Sequence, residues 1–294
     1  MYNRIGVVVL NYNDSETTKA FINNIKDYET IEKIIAVDNC SADDSYNSLS
    51  HYFFSSEKVE VIRTDHNGGY GFGNNQGIRW LTNKFQIRYI MICNPDVSFS
   101  EETVYRLHSV FEEKKDAAIV APMMLNADGE KQYITAWKIP TVKEYILFSS
   151  KILSRLSSSI FYPESFYENK GAQEVGCVAG SLLMIDTKKL PTDNIYDDKI
   201  FLYCEETVLG IKVRELGYKT YIDLDSSFLH LHSVSISKSI PKIISQKKLM
   251  WESRTYVLKN YLGCSRMLMA FAFLVRELSL VETRIAMMKN VRVV

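Results

Sequence analysis

The chain opens on an unbroken apolar run, Ile5 to Leu10, that stops at Asn11, Tyr12 and Asn13. A run without alternation offers no solvent face, so it reads as a strand buried on both sides, of the kind found in parallel sheets covered by helices. Beyond it, Ala20, Phe21, Ile25 and Tyr28 recur near the helical period, which predicts a helix capped by Asp14 or Ser15. The pattern then repeats. Lys33 to Val37 predicts a second strand ending at Asp38 and Asn39, Val59 to Arg63 a third, and Tyr89 to Cys93 a fourth ending at Asn94, Pro95 and Asp96. A helix is expected over Asn74 to Thr82. Strands and helices alternating in this order predict an α/β fold, with a Rossmann-like, mostly parallel sheet flanked by helices and right-handed crossovers.

Past the fourth strand the pattern becomes mixed. Asp116 to Met124 is strand-like and ends in an Asp128-Gly129 turn, and residues 141–160 carry the spacing of one amphipathic helix. Phe161 to Tyr167 reads as irregular. Glu174 to Ile185 predicts a strand broken at Gly180, a place where a backbone would approach a ligand closely. Thr207 to Leu216 predicts a helix closed by Gly217. A strand pair is expected over Lys219 to Leu224 and Ser227 to His232, in which His230 and His232, two apart, share a face. From Lys247 onward the spacing is helical. With no internal repeat and no linker, the expected organisation is one catalytic domain over residues 1–240 and a C-terminal helical extension over 241–294.

Composition acts mainly by exclusion. Among 294 residues, 46% are apolar, with 13 Gly and 6 Pro, which is ample for a core and rules out a low-complexity chain. Lys plus Arg equal Asp plus Glu at 35 each, so the chain lacks the basic surplus on which general nucleic-acid binding depends, and no nucleic-acid partner is expected. The five cysteines are scattered and never form C-x-x-C, so reduced thiols are expected in place of a disulfide framework or a structural zinc. No apolar run approaches the length of a membrane span. A cytoplasmic protein, soluble or peripheral, is the expectation.

Candidate chemistry gathers where the strands stop. Open α/β sheets bind ligands beyond the carboxyl ends of their strands, and Asn11, Asp38 and Asp96 would line one such rim, although each alone serves equally well as a turn or cap. The stretch Asn67 to Gly73 is not a P-loop, and Gly69-x-Gly71-x-x-Asn74 lacks the third glycine of a dinucleotide fingerprint. It reads as a flexible loop leading to a helix N-terminus that can face an anion. Asp96, fixed by a proline turn, suits a hard divalent cation, Mg or Mn, with His230 or His232 completing the shell. Glu205 and Glu206 stand at a helix start, where the macrodipole favours the ionised form, and one of them is a candidate general base.

Taken together, Val8 to Asn13, Val37 to Asp43, Asn67 to Gly77, Asn94-Pro95-Asp96 and Phe201 to Glu206 make the chain resemble a family 2 glycosyltransferase of the GT-A fold over residues 5–235. Its rhamnosyltransferase-like branch is the nearest. The resemblance implies inverting transfer from a nucleotide-diphosphate sugar, dTDP-rhamnose being the favoured donor, to a saccharide or lipid-linked acceptor of a bacterial surface polysaccharide. It implies donor contacts from Asn11, Tyr12, Asn13, Asp38, Asn39, Gly69, Asn74, Asn75, Asn94 and Asp96, with Asp38 at the nucleotide base and Asp96 at the metal or ribose. It places the catalytic base at the second acid, Glu206, beside Glu205, and the late histidine at His230 or His232. One departure stands out: the family often reads E-D-x-D-L, and this chain has Glu205-Glu206-Thr207-Val208-Leu209. That difference leaves a second reading, a catalytically silent sugar-nucleotide-binding or assembly subunit. The tail, apolar at Leu268, Phe271, Leu274 and Ile285 and basic at Arg266, Arg276, Arg284 and Lys289, is compatible with a core extension, a homodimer contact or peripheral contact with the inner face of the cell membrane.

Overall fold

A computed structural model describes residues 4–231 and 243–291. Its first half alternates as β1 (Ile5–Asn11), α1 (Ser15–Ile25), β2 (Ile31–Asp38), α2 (Ser45–Tyr52), β3 (Val59–Arg63), α3 (Gly69–Phe85) and β4 (Tyr89–Cys93). Then come β5 (Val97–Ser98), α4 (Glu101–Glu113), β6 (Ala117–Leu125), β7 (Ala136–Trp137), α5 (Val142–Leu147), β8 (Ala172–Val175), β9 (Cys177–Val178) and β10 (Leu182–Asp186). The chain continues through α6 (Glu205–Glu215), β11 (Lys219–His230), α7 (Ile243–Asn260) and α8 (Arg266–Val291).

The main sheet runs β3-β2-β1-β4-β10-β6-β11-β5, with β8 paired to β11. β1 to β4 are mutually parallel, as are β6 and β11, while β10 is inserted antiparallel between β4 and β6. β5 and β8 also run antiparallel to β11. The alternation along β1 shows why the sheet needs helices on both faces. Val7 and Val9 enter a core with Phe21 and Ile22 of α1, Leu49 of α2 and Leu107 of α4. Val8 points the other way, into a core with Ile78 and Leu81 of α3 and Leu209 and Val213 of α6. Each face removes its own set of side chains from water, and that burial is the main favourable term in folding.

Three expectations change here. The amphipathic stretch over 141–160 is not one helix: α5 stops at Leu147 and a single 3-10 turn, Leu153–Leu156, follows. The cause lies far away in the chain, since Glu282 of α8 accepts from the backbone N–H groups of Lys151 and Ile152 and from Ser150 Oγ, taking up donors that a continuing helix would use internally. The expected strand pair after Gly217 is one strand, β11, with a bulge between Asp223 and Ser227, because both halves pair with β6. Its predicted extension to His232 passes beyond the described residues, as does the expected boundary at 240. Finally, α2 and α4 complete the crossovers at positions that the sequence reading left unassigned.

The C-terminal helices share a core with the rest of the chain. Trp251, Val257 and Leu258 of α7 and Ala272 and Val275 of α8 close over Tyr145 and Ile146 of α5, Ile200, and Val208 of α6. Trp251 Nε1 donates to Ser279 Oγ at 2.7 Å, and Tyr256 and Tyr261 both donate to Asp197 Oδ2.

Candidate active site

At the carboxyl ends of β1 and β2, buried side chains form a closed network. Asn11 Nδ2 donates to Asp38 Oδ2 at 2.9 Å, and Ser41 N donates to Asp38 Oδ1 at 3.0 Å. Arg63 Nε lies 3.6 Å from the same Oδ1. Asn13 Oδ1 accepts from Ala42 N, and Asn39 Nδ2 donates to Asn67 Oδ1 and to the Gly69 carbonyl. Asp38 and Asn39 are therefore placed at the rim, with Asp38 wholly buried and both its oxygens engaged. In this arrangement they shape the Asn39 to Asp43 loop, and half-buried Tyr12 and exposed Asn13 are the members of the group with surface to offer a ligand.

The glycine-rich stretch differs from the flexible loop expected. Helix α3 begins at Gly69, so Gly71 and Gly73 lie within its first turns. Gly69 has φ +90, and a Cβ there would stand 2.0 Å from the Phe201 carbonyl oxygen, which accepts from Tyr70 N at 2.9 Å. Only glycine permits both the left-handed backbone and that approach. Asn74 is buried, with Nδ2 donating to the Tyr70 carbonyl and Oδ1 left without a partner. Asn75 spends its amide on the backbone of Tyr196 and on Asp198 Oδ1, so its observed task is to fasten the segment that leads to α6.

Asn94 follows β4 and is fixed by Asn94 N donating to the Ser181 carbonyl. Asp96 and His230 meet because β5 pairs with the end of β11, His230 opposite Val97. Asp96 Oδ1 and His230 Nε2 face one another at 3.5 Å, and both are buried without a hydrogen-bond partner. An orphaned carboxylate oxygen opposite an orphaned imidazole nitrogen is a donor set that fits Mn²⁺ or Mg²⁺, and Mn²⁺ better. No group of three His, Cys, Asp or Glu side chains suited to a metal occurs among the described residues, so substrate or water oxygens would supply the rest of a shell. His232, the other candidate, lies outside the described residues.

The two acids sit across a cleft of about 560 Å³ whose lining includes Asn94, Gly180, Glu205, Glu206, His230 and Arg254. Tyr203 and Cys204, immediately before α6, both have φ +72. Two successive non-glycine residues in the left-handed region cost about 1–3 kcal/mol each, a strain tolerated where it aims a functional group. The Gly180 backbone approaches Glu206 closely enough to favour its ionised form, and a Cβ at Gly180 would lie 2.9 Å from Glu206 Oε1. At Gly180, where the sequence predicts close approach to a ligand, the nearest side chain is that of Glu206. Burial raises both carboxyls above the usual carboxylate range, Glu205 the more strongly because the neighbouring Glu206 charge adds to it. Desolvation thus opposes the stabilisation of the ionised acids expected from the helix macrodipole, and it exceeds that from the backbone donors.

A stability prediction follows for Glu205, whose Oε1 is buried and unpaired. Its folded-state proton affinity exceeds the unfolded one, so its contribution is favourable at low pH and is lost as pH rises through the raised value. Glu205→Gln is expected to raise Tm, by more at pH 8 than at pH 5; an equal shift at both values would refute the buried-charge account.

Val208 is fully enclosed against Tyr145, Trp251 and Val275. Here the chain needs an apolar side chain because α7 and α8 cover the position. Val208→Asp should destabilise the fold by about 3–5 kcal/mol by burying an unpaired charge, measured by denaturant unfolding.

Arg254, on α7, was not singled out in the sequence. Its guanidinium lies 4.7 Å from the Tyr145 ring, its Nε is buried without a partner, and it forms no ion pair among the described residues. Its Nη1 donates to the Tyr145 carbonyl at 3.3 Å, so the cleft lining carries a cation held by α5 and without a carboxylate partner among the described residues. The only sequence signal was an Arg one turn after Trp251, and that does not say which way it faces.

Comparison with known proteins adds family and fold. Residues 6–172 match the family described as Glycosyl transferase family 2. The low-salt glycan biosynthesis hexosyltransferase Agl10 of Haloferax volcanii is 22% identical over 268 residues, covering 83% of this chain and 80% of its own. The rhamnosyltransferase WbbL of Escherichia coli strain K12 is 20% identical over 220 residues, covering 73% of this chain and 78% of its own. Among solved structures, the mannosyltransferase PcManGT from Pyrobaculum calidifontis, in complex with GDP-Man and Mn²⁺, superposes with a TM-score of 0.58 at 11% identity. That superposition covers 97% of this chain and 76% of the other, and it shows a shared fold.

Proposed function

The chain belongs to glycosyl transferase family 2 and has its GT-A fold, and from that premise we propose that it transfers one sugar from a nucleotide-diphosphate donor to an acceptor hydroxyl with inversion. The observation that carries this reading is the convergence of Asn94, His230, Glu205 and Glu206 on one cleft, with Asp96 behind His230. The nucleotide end of the donor lies toward Tyr12, Asn13 and the loop organised by Asp38. Asp96 and His230 would hold a divalent cation, which offsets the negative charge growing on the departing diphosphate. Arg254 adds a fixed positive charge to the cleft lining.

Glu206 is the base. It lines the cleft close against the Gly180 backbone, positioned to take the proton of the acceptor hydroxyl as that oxygen attacks the anomeric carbon and the carbon–diphosphate bond breaks. The aromatic walls, Trp137, Phe148 and Phe161, offer flat apolar faces for an acceptor saccharide. dTDP-rhamnose is the donor and a surface polysaccharide precursor, saccharide or lipid-linked, the acceptor; the name of the WbbL relative supports the sugar. No helix among the described residues is long and apolar enough to cross a membrane, so a lipid-linked acceptor at the inner face would be met from the surface.

The silent-subunit reading drew on Val208 and on Glu206 standing where the family has Asp. Val208 belongs to the packing of α7 and α8, and both acids still reach the cleft. A thermal-shift screen of sugar nucleotides with and without Mn²⁺ tests the donor. dTDP-rhamnose with Mn²⁺ should give the largest rise in Tm, since saturation at a hundred times Kd adds ~2.7 kcal/mol. A larger rise with a UDP- or GDP-sugar would reassign the donor, and no rise with any sugar nucleotide would sink the proposal.

A further inference from the structure

Helix α8 carries an apolar row that its own chain leaves open. Met267, Phe271, Leu274, Val281, Ile285 and Met288 are exposed, from 41% at Phe271 to 80% at Met267, and half-buried Leu278 fills the one gap in the row. The spacing alternates four and three residues throughout. That is the period of a seam gripped by another helix, with exposed Phe273 and Met287 lying off the row. The row is about 30 Å long at 1.5 Å per residue. Ala272, Val275 and Ser279, which bury α8 against its own chain, lie roughly a third of a turn away, so the seam is open to an approaching helix.

We infer that this seam joins two copies of the chain, α8 packing antiparallel on α8 of the second copy about a two-fold axis. Charge selects the orientation. With Leu278 against Val281 of the second copy, the antiparallel register sets Leu274 against Ile285 and Phe271 against Met288. The same register places Glu277 beside Arg284 of the second copy, and the two-fold repeats that pair. A parallel pairing would instead set Glu277 beside Glu282 of the other copy, two like charges. Glu282 is also already committed to Ser150, Lys151 and Ile152. Within one copy, Glu277 meets only Arg276 Nε at 3.8 Å, and Arg284 forms no ion pair among the described residues. Both charges are thus available to a second helix.

None of the seam residues lines the cleft, so this inference stands apart from the transfer reaction. Light scattering or sedimentation of the full chain should give a dimer, and Leu274→Glu with Val281→Glu should give a monomer that keeps its circular dichroism and unfolds cooperatively, at a temperature that no longer depends on protein concentration. Glu277→Arg alone and Arg284→Glu alone should each weaken the dimer, and the two together should restore it. A wild-type monomer at all concentrations would overturn the inference, as would failure of the double reversal to restore association. So would a monomer that floats with phosphatidylglycerol–phosphatidylcholine vesicles and is released by the Leu274→Glu, Val281→Glu pair, which would assign the face to lipid.

Discussion

Glu206→Gln is expected to lower kcat for sugar transfer by ~10²–10⁴-fold while leaving donor affinity unchanged. The amide keeps the size of the side chain and its approach to the Gly180 backbone, so the loss isolates proton removal. The pH profile gives the same test a second axis. A base works deprotonated, and burial raises the Glu206 carboxyl above its ordinary value, so the wild-type rate should climb with pH along a limb displaced to the alkaline side of a normal carboxylate. That limb should be absent from the residual rate of the variant. Turnover by Glu206→Gln within a few-fold of wild type would remove Glu206 from the reaction.

Asp96→Asn is the second large effect. The substitution preserves shape and removes the charge that faces His230 Nε2 at 3.5 Å. If this pair supports the diphosphate through a cation, its loss should cost several kcal/mol of transition-state stabilisation, on the order of 10²–10³-fold in rate. The dependence of activity on Mn²⁺ concentration should move to higher concentration or vanish. His230→Ala should act in the same direction. Asp96→Asn with wild-type turnover and an unaltered Mn²⁺ dependence would leave the pair as a buried contact only.

The sequence carried the parallel half of the sheet plainly, because Ile5 to Leu10 and Tyr89 to Cys93 are buried on both faces and read as unbroken apolar runs. It could not carry the direction of β10. Leu182–Asp186 looks the same forward or reversed, and its antiparallel insertion between β4 and β6 is set by the route of the chain through 126–181. The rim residues were legible as strand ends, and the meeting of Asp96 with His230 was foreshadowed only by residue type. What separated Asp38 from an open contact was its neighbours, Asn11, Ser41 and Arg63, which saturate it. The acids show the same limit. A helix start is visible in Phe201 to Leu209, but the enclosure that opposes ionisation of the acids comes from residues distant in the chain. Arg254 and the break after α5 were hidden for one reason: each depends on how the C-terminal helices dock, through Tyr145 in one case and Glu282 in the other.

The most direct measurement is a structure of Glu206→Gln bound to the intact donor and Mn²⁺. The diphosphate should reach the metal held by Asp96 and His230, and the anomeric carbon should face residue 206 with room between them for one acceptor hydroxyl. A donor seated away from this cleft, or a sugar whose anomeric carbon turns its back on residue 206, would contradict the account.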